Sequence, residues 1–215
     1  MPKKVYKAIL ADLDGTIYRG RTLIPGAAEV YSFLSKKGIR WFFLSNNAGR
    51  LASDIAEGIR KLGIPISDDQ VINSASALFN AISRYYRGSK ILVIGHPKLI
   101  AGIEASGALI TEDPAETDIV VVALDTNFTY DKLKRAHIAI QRGSLFWASN
   151  LDPSFPVEDG FLPGAGSIVA AVATASGKQP DRVFGKPSPE MAAMVLERFN
   201  LSPEECLVVG DRMDT

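Results

Sequence analysis

Apolar runs that end in polar or acidic residues alternate with amphipathic segments along most of this chain. The run from Tyr6 to Leu13 has the composition of a strand buried in a parallel sheet. The segment Ala27–Lys37 has helical spacing, with Val30, Phe33 and Leu34 predicted on one apolar face. Further strands are predicted at 40–44, 91–94, 119–124, 145–148 and 206–209, and further helices at about 53–62, 75–86, 130–142, 165–176 and 190–199. This alternation predicts an α/β fold in which helices cover a parallel sheet.

The composition limits the partners and the compartment. Lysine and arginine together number 24, as do aspartate and glutamate, so no basic excess indicates a nucleic-acid or membrane surface. No apolar stretch approaches the length of a membrane span, and the first apolar run is too short for a secretory signal. Cys206 is the single cysteine, which fits a reducing compartment. We therefore expect a cytoplasmic protein that binds neither nucleic acid nor membrane.

Polar groups follow four of the predicted strands. These groups are Asp12-Leu13-Asp14-Gly15-Thr16, Ser45-Asn46-Asn47, Gly185-Lys186 and Gly210-Asp211. Ligands of parallel α/β sheets bind beyond the carboxyl ends of the strands, so these groups converge if the strands are neighbours. Clustered carboxylates need a compensating cation, and oxygen ligands without histidine favour Mg²⁺. A cation and a lysine together can neutralise a phosphoryl group while a carboxylate attacks it.

The same segments resemble the four motifs of the haloacid dehalogenase (HAD) superfamily. The first, Asp12–Thr16, resembles DxDGT. The second, third and fourth are Leu44–Asn47, Gly185–Pro189 and Val208–Thr215. The Asn46-Asn47 doublet, the GKPSP pentad and the segment Leu124–Tyr130 are similar to the NagD-like subgroup, which includes para-nitrophenyl phosphatases. The resemblance implies a Rossmann-like core and a magnesium-dependent phosphatase that acts on a small phosphorylated metabolite through a phospho-aspartate.

The resemblance also implies roles for the three aspartates of the first and fourth motifs. Asp12 would be the nucleophile and a magnesium ligand. Asp14 would be the general acid/base and would offer its main-chain carbonyl to the metal, and Asp211 would bind the metal directly or through water. The family's fourth motif continues past Thr215, and a parallel sheet usually continues with a helix after such a strand, so we expect a truncated C-terminus.

The second and third motifs would handle the phosphoryl group. Ser45 and Asn46 would hydrogen-bond it during transfer, and Lys186 would balance the charge on Asp12 and on the phosphoryl. Two alternatives stay open at this point. A receiver-like signalling module also combines an aspartate, an acidic metal pocket and a lysine, and an inactive binding protein could keep the same scaffold.

About a hundred residues separate the helix after the second motif from Lys186. An insertion at this place in the superfamily is a type-two cap, so we predict a HAD core at 1–78 and 182–215 and a smaller α/β cap at 79–181. Candidate specificity residues of the cap are Asp125, Asn127, Asn150 and Asp152. Asn127 and Thr129 could instead cap the following helix. The segment 152–166 is predicted as a long loop, and relatives of this subgroup often dimerise through the cap, so a homodimer is expected.

Overall fold

The computed structural model describes residues 6–157 and 160–212 of the chain. Its strands are β1 (Ala8–Asp12), β2 (Tyr18–Arg19), β3 (Thr22–Leu23), β4 (Arg40–Ser45), β5 (Val71–Asn73), β6 (Lys90–Ile94), β7 (Leu109–Ile110), β8 (Ile119–Val122), β9 (Leu145–Ala148), β10 (Ser154–Val157), β11 (Gly160–Pro163), β12 (Arg182–Val183) and β13 (Cys206–Val209). Its α-helices are α1 (Ala27–Lys36), α2 (Ala52–Lys61), α3 (Ser74–Tyr85), α4 (Pro97–Ala105), α5 (Tyr130–Gln141), α6 (Ala165–Ser176) and α7 (Glu190–Phe199). The predicted α/β class is confirmed.

The first sheet has the order β13-β1-β4-β5, and every pair in it is parallel. Alternate residues of β4 enter different apolar clusters, because successive side chains of a strand point to opposite faces. Phe42 and Leu44 lie in one cluster, while Trp41 and Phe43 lie in the other. This burial on both faces explains the nearly continuous apolar composition of the strands. Because the four strands are parallel, their carboxyl ends lie at one edge of the sheet.

The second sheet has the order β12-β9-β8-β6-β7 and is also parallel. Its central strand β8 is buried along its whole length. One apolar cluster contains residues of both sheets, including Leu10 and Phe42 from the first and Val121 and Trp147 from the second. The two sheets are therefore joined by a common core rather than by a bare linker.

The predicted apolar face of α1 is wrong in part. Val30 and Phe33 are 50% and 58% exposed, whereas Tyr31 is buried. Tyr31 packs against Trp41 with ring centroids 5.6 Å apart, and its hydroxyl donates to the carbonyl of Pro65 at 2.9 Å. Because that hydrogen bond satisfies the hydroxyl, the tyrosine can face the core in place of its apolar neighbours.

The prediction of a long loop at 152–166 is also wrong. Strands β10 and β11 form an antiparallel hairpin in which Ser154 pairs with Pro163. Both strands are edges of a two-stranded sheet, where proline is tolerated because its missing N–H can face outward. Helix α4 has no counterpart in the sequence analysis, although Pro97 stands at its first turn, which is a common place for proline.

Several predictions concern features that the structure leaves open. The limits of the predicted core and cap stay predictions. Helix α3 runs across the limit at 78/79, and β12, just after the limit at 181/182, pairs with β9 of the second sheet. The expected truncation also stays a prediction, and residues 213–215 of the fourth motif lie outside the described residues. Within 6–157 and 160–212, no helix is long and apolar enough to cross a bilayer.

Candidate active site

Three loops meet at the carboxyl edge of the first sheet. Asp12 is the last residue of β1, Ser45 is the last residue of β4, and Gly210 and Asp211 follow β13. A Cβ on Gly210 would lie 3.6 Å from the Cβ of Asp12, and a Cβ on Gly15 would overlap the Asp211 carboxylate. The structure therefore brings the first and fourth motifs into direct contact, as the parallel register of β1 and β13 requires.

Lys186 reaches the same place from the other sheet. It follows β12, which pairs with β9 and not with a strand of the first sheet. The strand before Lys186 is therefore not a neighbour of β1, β4 or β13, and this lysine joins the other polar groups from a different sheet. Its Nζ contacts Asp12 Oδ1 and donates to the carbonyl of Leu44 at 3.3 Å. The two side chains are only 12% and 14% exposed, so each charge depends on the other for compensation.

Asp14 is placed by a tight turn after Asp12. Gly15 has a φ of +87°, a value that favours glycine, and its N–H donates to the carbonyl of Tyr18 at 2.9 Å. Asp14 is exposed to solvent. The surrounding protein still removes water from its carboxyl, and this desolvation, followed by the negative charge of Asp12, raises the pKa of Asp14. Lys186 and Arg50 oppose that rise.

The oxygen atoms at the carboxyl edge of the first sheet are chemically suited to bind magnesium. Within residues 6–157 and 160–212, no three acidic, histidine or cysteine side chains lie close enough together to hold a metal by themselves. Magnesium does not need such a cage, because it usually binds one or two carboxylates, keeps several waters and contacts the substrate phosphate. The oxygens of Asp12 and Asp211 and the main-chain carbonyl of Asp14, which the family resemblance implies as ligands, are donors of the type that magnesium prefers.

The two residues predicted to bind the phosphoryl differ in their surroundings. Ser45 is 4% exposed, and its Oγ accepts from the N–H of Asn47 at 3.2 Å. Asn46 uses its side-chain amide within the protein. Its Oδ1 accepts from Lys186 N–H at 2.7 Å, and its Nδ2 donates to the Lys186 carbonyl at 3.2 Å and to Asp152 Oδ2 at 2.9 Å. Both polar atoms of that side chain therefore already have partners.

The four predicted specificity residues fall into two pairs. Asp125 is buried, forms an ion pair with Lys132 and accepts from the N–H of Asn127 at 2.8 Å, so its contacts shape the start of α5. The side chain of Thr129, and not that of Asn127, caps this helix. Asn150 and Asp152 instead contact Asn46, at 2.8 and 2.9 Å. Only the second pair reaches the loops around Asp12.

Two residues around the site were not singled out in the sequence. Asn73 is 1% exposed, and its Nδ2 donates to the carbonyls of Asn47 and Arg50 at 2.8 and 2.7 Å, which fixes the loop after β4. Its Oδ1 accepts from Ser76 N–H as the N-cap of α3. An asparagine just before a helix is a recognisable capping signal, although its contact with a distant loop is not. Arg50 supplies the second positive charge near Asp14.

The chain is similar to known hydrolases over nearly its whole length. A family model described as haloacid dehalogenase-like hydrolase matches residues 9–108, and a HAD-hydrolase-like model matches 183–215. The acid sugar phosphatase of Staphylococcus saprophyticus is 38% identical over 213 residues, which are 99% of this chain and 81% of that protein.

Solved structures give the same result. The 4-nitrophenylphosphatase of Thermotoga maritima superimposes with a TM-score of 0.88 at 33% identity, covering 98% of this chain and 80% of that one. A glycerol phosphate phosphatase of Mycobacterium tuberculosis, solved in complex with magnesium, gives 0.86 at 35% identity, covering 98% and 63%. These relatives favour turnover over the signalling alternative. The chain belongs to the haloacid dehalogenase-like hydrolases, and it is a phosphatase of their NagD-like subgroup.

Proposed function

We propose that this phosphatase hydrolyses monoesters of small phosphorylated metabolites, sugar phosphates among them, through a phospho-aspartate on Asp12 in a magnesium-dependent reaction. The observation that carries the proposal is the contact between Asp12 and Lys186, with Asp14 two residues away. The ammonium of Lys186 holds the Asp12 carboxylate in place and compensates its charge, which suits a nucleophile that must approach a negatively charged phosphoryl group. The named activity of the staphylococcal relative supports sugar phosphates as the substrate class.

In the first half of the proposed cycle, an oxygen of Asp12 forms a bond to phosphorus as the bond to the leaving oxygen breaks. Asp14 donates its proton to that oxygen. Its raised pKa favours the protonated carboxyl that this step needs. The ammonium of Lys186 stabilises the negative charge that crowds around Asp12 and the phosphoryl group.

In the second half, the Asp14 carboxylate takes a proton from a water whose oxygen attacks phosphorus. The bond between phosphorus and Asp12 then breaks, which releases phosphate and restores both carboxyl groups to their starting states. Magnesium, held by Asp12, Asp211 and the Asp14 carbonyl, would supply further charge neutralisation for the phosphoryl oxygens. Ser45 would orient those oxygens with its hydroxyl.

The region around the second sheet would act as a cap over this chemistry. Its support is that Asn150 and Asp152, from the loop after β9, contact the loop that follows β4. A cover of this kind excludes water and selects substrates. Dimerisation through this region and a cytoplasmic location stay predictions, and light scattering of the purified protein measures the first.

A substrate screen tests the proposal. The protein would be assayed on sugar phosphates, nucleoside monophosphates, glycerol phosphate, pyridoxal phosphate and p-nitrophenyl phosphate, with Mg²⁺ and with EDTA. Hydrolysis should require Mg²⁺ and disappear in Asp12→Asn. The matched control is Asp131→Asn, an exposed acid on α5 with no contact to the site, which should remain active. Full Mg²⁺-dependent turnover by Asp12→Asn would overturn the mechanism.

A further inference from the structure

The side chain of Asn46 connects three loops. One is its own loop after β4, the second follows β12 and carries Lys186, and the third follows β9 and carries Asp152. Asn46 binds both the N–H and the carbonyl of Lys186, at 2.7 and 3.2 Å. The ammonium of the same lysine contacts Asp12. Lys186 is thus held at its main chain by Asn46 and at its tip by the nucleophile.

Asp152 completes the hydrogen bonding of that amide. Nδ2 of Asn46 has two hydrogens, and the Lys186 carbonyl and Asp152 Oδ2 accept from it at 3.2 and 2.9 Å. An ionised carboxylate can only accept, and a main-chain N–H can only donate. These partners together permit one orientation of the amide, because the flipped amide would place oxygen against oxygen and N–H against N–H. The bond to the carboxylate is the charge-assisted one and therefore the stronger.

The loop after β9, which carries Asp152, also fixes the main chain of Asn46. The buried Asn150 donates from Nδ2 to the carbonyl of Asn46 at 2.8 Å, and its Oδ1 accepts from the N–H of Asp152 at 3.0 Å. Gly185 permits this close packing, since a Cβ there would lie 2.5 Å from the Cβ of Asn150 and 2.9 Å from Asn46 Oδ1. Asn150 and Asp152 therefore hold Asn46 from two directions.

We propose that Asp152 is a positioning residue that acts through Asn46 to set Lys186 against Asp12. This differs from the specificity role predicted from the sequence, in which Asp152 contacts the substrate. The inference rests on the proposed phosphatase function. Its consequence is that the loop after β9 controls the rate of phosphoryl transfer on every substrate rather than the choice among substrates.

Steady-state kinetics of variants separate the two roles. Asp152→Ala, Asp152→Asn and the wild type would be assayed on p-nitrophenyl phosphate and on glucose 6-phosphate at saturating Mg²⁺. Leu151→Ala is the matched control, because Leu151 is exposed in the same loop and its side chain has no hydrogen bond to lose. Thermal unfolding of each variant shows that it is folded.

A positioning role predicts that Asp152→Ala lowers kcat on both substrates by a similar factor, on the order of tenfold to a hundredfold, with little change in KM. Asp152→Asn should recover most of that loss, because its amide oxygen can still accept from Asn46 Nδ2. Leu151→Ala should behave like the wild type.

An unchanged kcat with a KM that rises on one substrate only would overturn the positioning role and leave the phosphatase function in place. The same holds if Asp152→Asn is as slow as Asp152→Ala. A wild-type protein that hydrolyses no phosphomonoester of the full substrate screen with Mg²⁺ would instead refute the proposed function, and the positioning role with it.

Discussion

Replacing Gly15 with alanine should strain the backbone and displace Asp211 at the same time. Gly15 has a φ of +87°, and the left-handed region costs an L residue roughly 1–2 kcal/mol. A methyl group at this position would also overlap the Asp211 carboxylate. Asp211 is exposed, so its side chain can move aside. We therefore expect the free energy of unfolding to fall by the strain alone, and the overlap to weaken magnesium binding.

The expected magnitudes follow from these two effects. A loss of about 1–2 kcal/mol lowers the melting temperature of a chain this size by roughly 2–8 °C. Displacement of a proposed metal ligand should raise the Mg²⁺ concentration needed for half-maximal activity by on the order of tenfold. Gly26→Ala is the matched control, because Gly26 has a φ of +88° and no atom within 4 Å of a Cβ. It should lose similar stability while its Mg²⁺ requirement stays unchanged.

Two assays measure these effects. Thermal unfolding followed by circular dichroism in EDTA gives the stability loss of both variants. Titration of p-nitrophenyl phosphate hydrolysis with Mg²⁺ gives the metal requirement. If Gly15→Ala needs no more Mg²⁺ than Gly26→Ala does, Asp211 is not a magnesium ligand in its position beside Gly15. That result would refute the predicted link between Gly15 and metal binding.

Two further predictions concern the charge of Asp14. Asp14→Asn should melt at a higher temperature than the wild type at pH 7 in EDTA, because folding raises the pKa of this carboxyl and its ionisation then opposes folding. The cost of ionising Asp14 is absent at low pH and appears as pH rises through the raised pKa, so the gain of Asp14→Asn should vanish below about pH 4, where the wild-type carboxyl is also neutral; equal melting temperatures at pH 7 would contradict this prediction. Arg50→Gln should move the basic limb of the kcat/KM profile to higher pH, since Arg50 lowers the pKa of Asp14. A pH–rate profile shows this, and a basic limb that stays fixed or moves to lower pH would count against Asp14 as the general acid.

The place of Asp12 in the fold was predictable because it is determined by local pattern. Strand β1 is apolar until Asp12, and an acid directly after a buried strand marks the carboxyl edge of a parallel sheet. The register of β1 with β4 and β13 then brings the first, second and fourth motifs together. The order of strands and motifs along the sequence was therefore enough to predict that these three motifs meet.

The sheet from which Lys186 reaches the site was not predictable in the same way. Strand β12 has only two residues, and nothing in so short a segment indicates that it pairs with β9 rather than with the first sheet. The same limit applies to Asn46, whose motif indicates a polar loop but not its hydrogen bonds to Asp152 and Lys186. These hydrogen bonds of Asn46 join residues more than a hundred positions apart, where periodicity carries no signal.

Amphipathic patterns also failed where hydrogen bonding decides which residue is buried. Tyr31 replaces Val30 and Phe33 in the core because the Pro65 carbonyl accepts its hydroxyl. The hairpin of β10 and β11 was missed because its prolines and glycine are typical of loops. Both errors concern contacts that form only after the chain has folded.

The central claim is that Asp12 carries the phosphoryl group during turnover. The direct measurement is acid quenching of the protein during hydrolysis of p-nitrophenyl phosphate, followed by borohydride reduction and peptide mass spectrometry. An acyl phosphate on aspartate is reduced to homoserine, whereas free aspartate is not. The account predicts homoserine at position 12 in the wild type and none without substrate. Homoserine at another aspartate, or its absence during demonstrated turnover, would contradict the account.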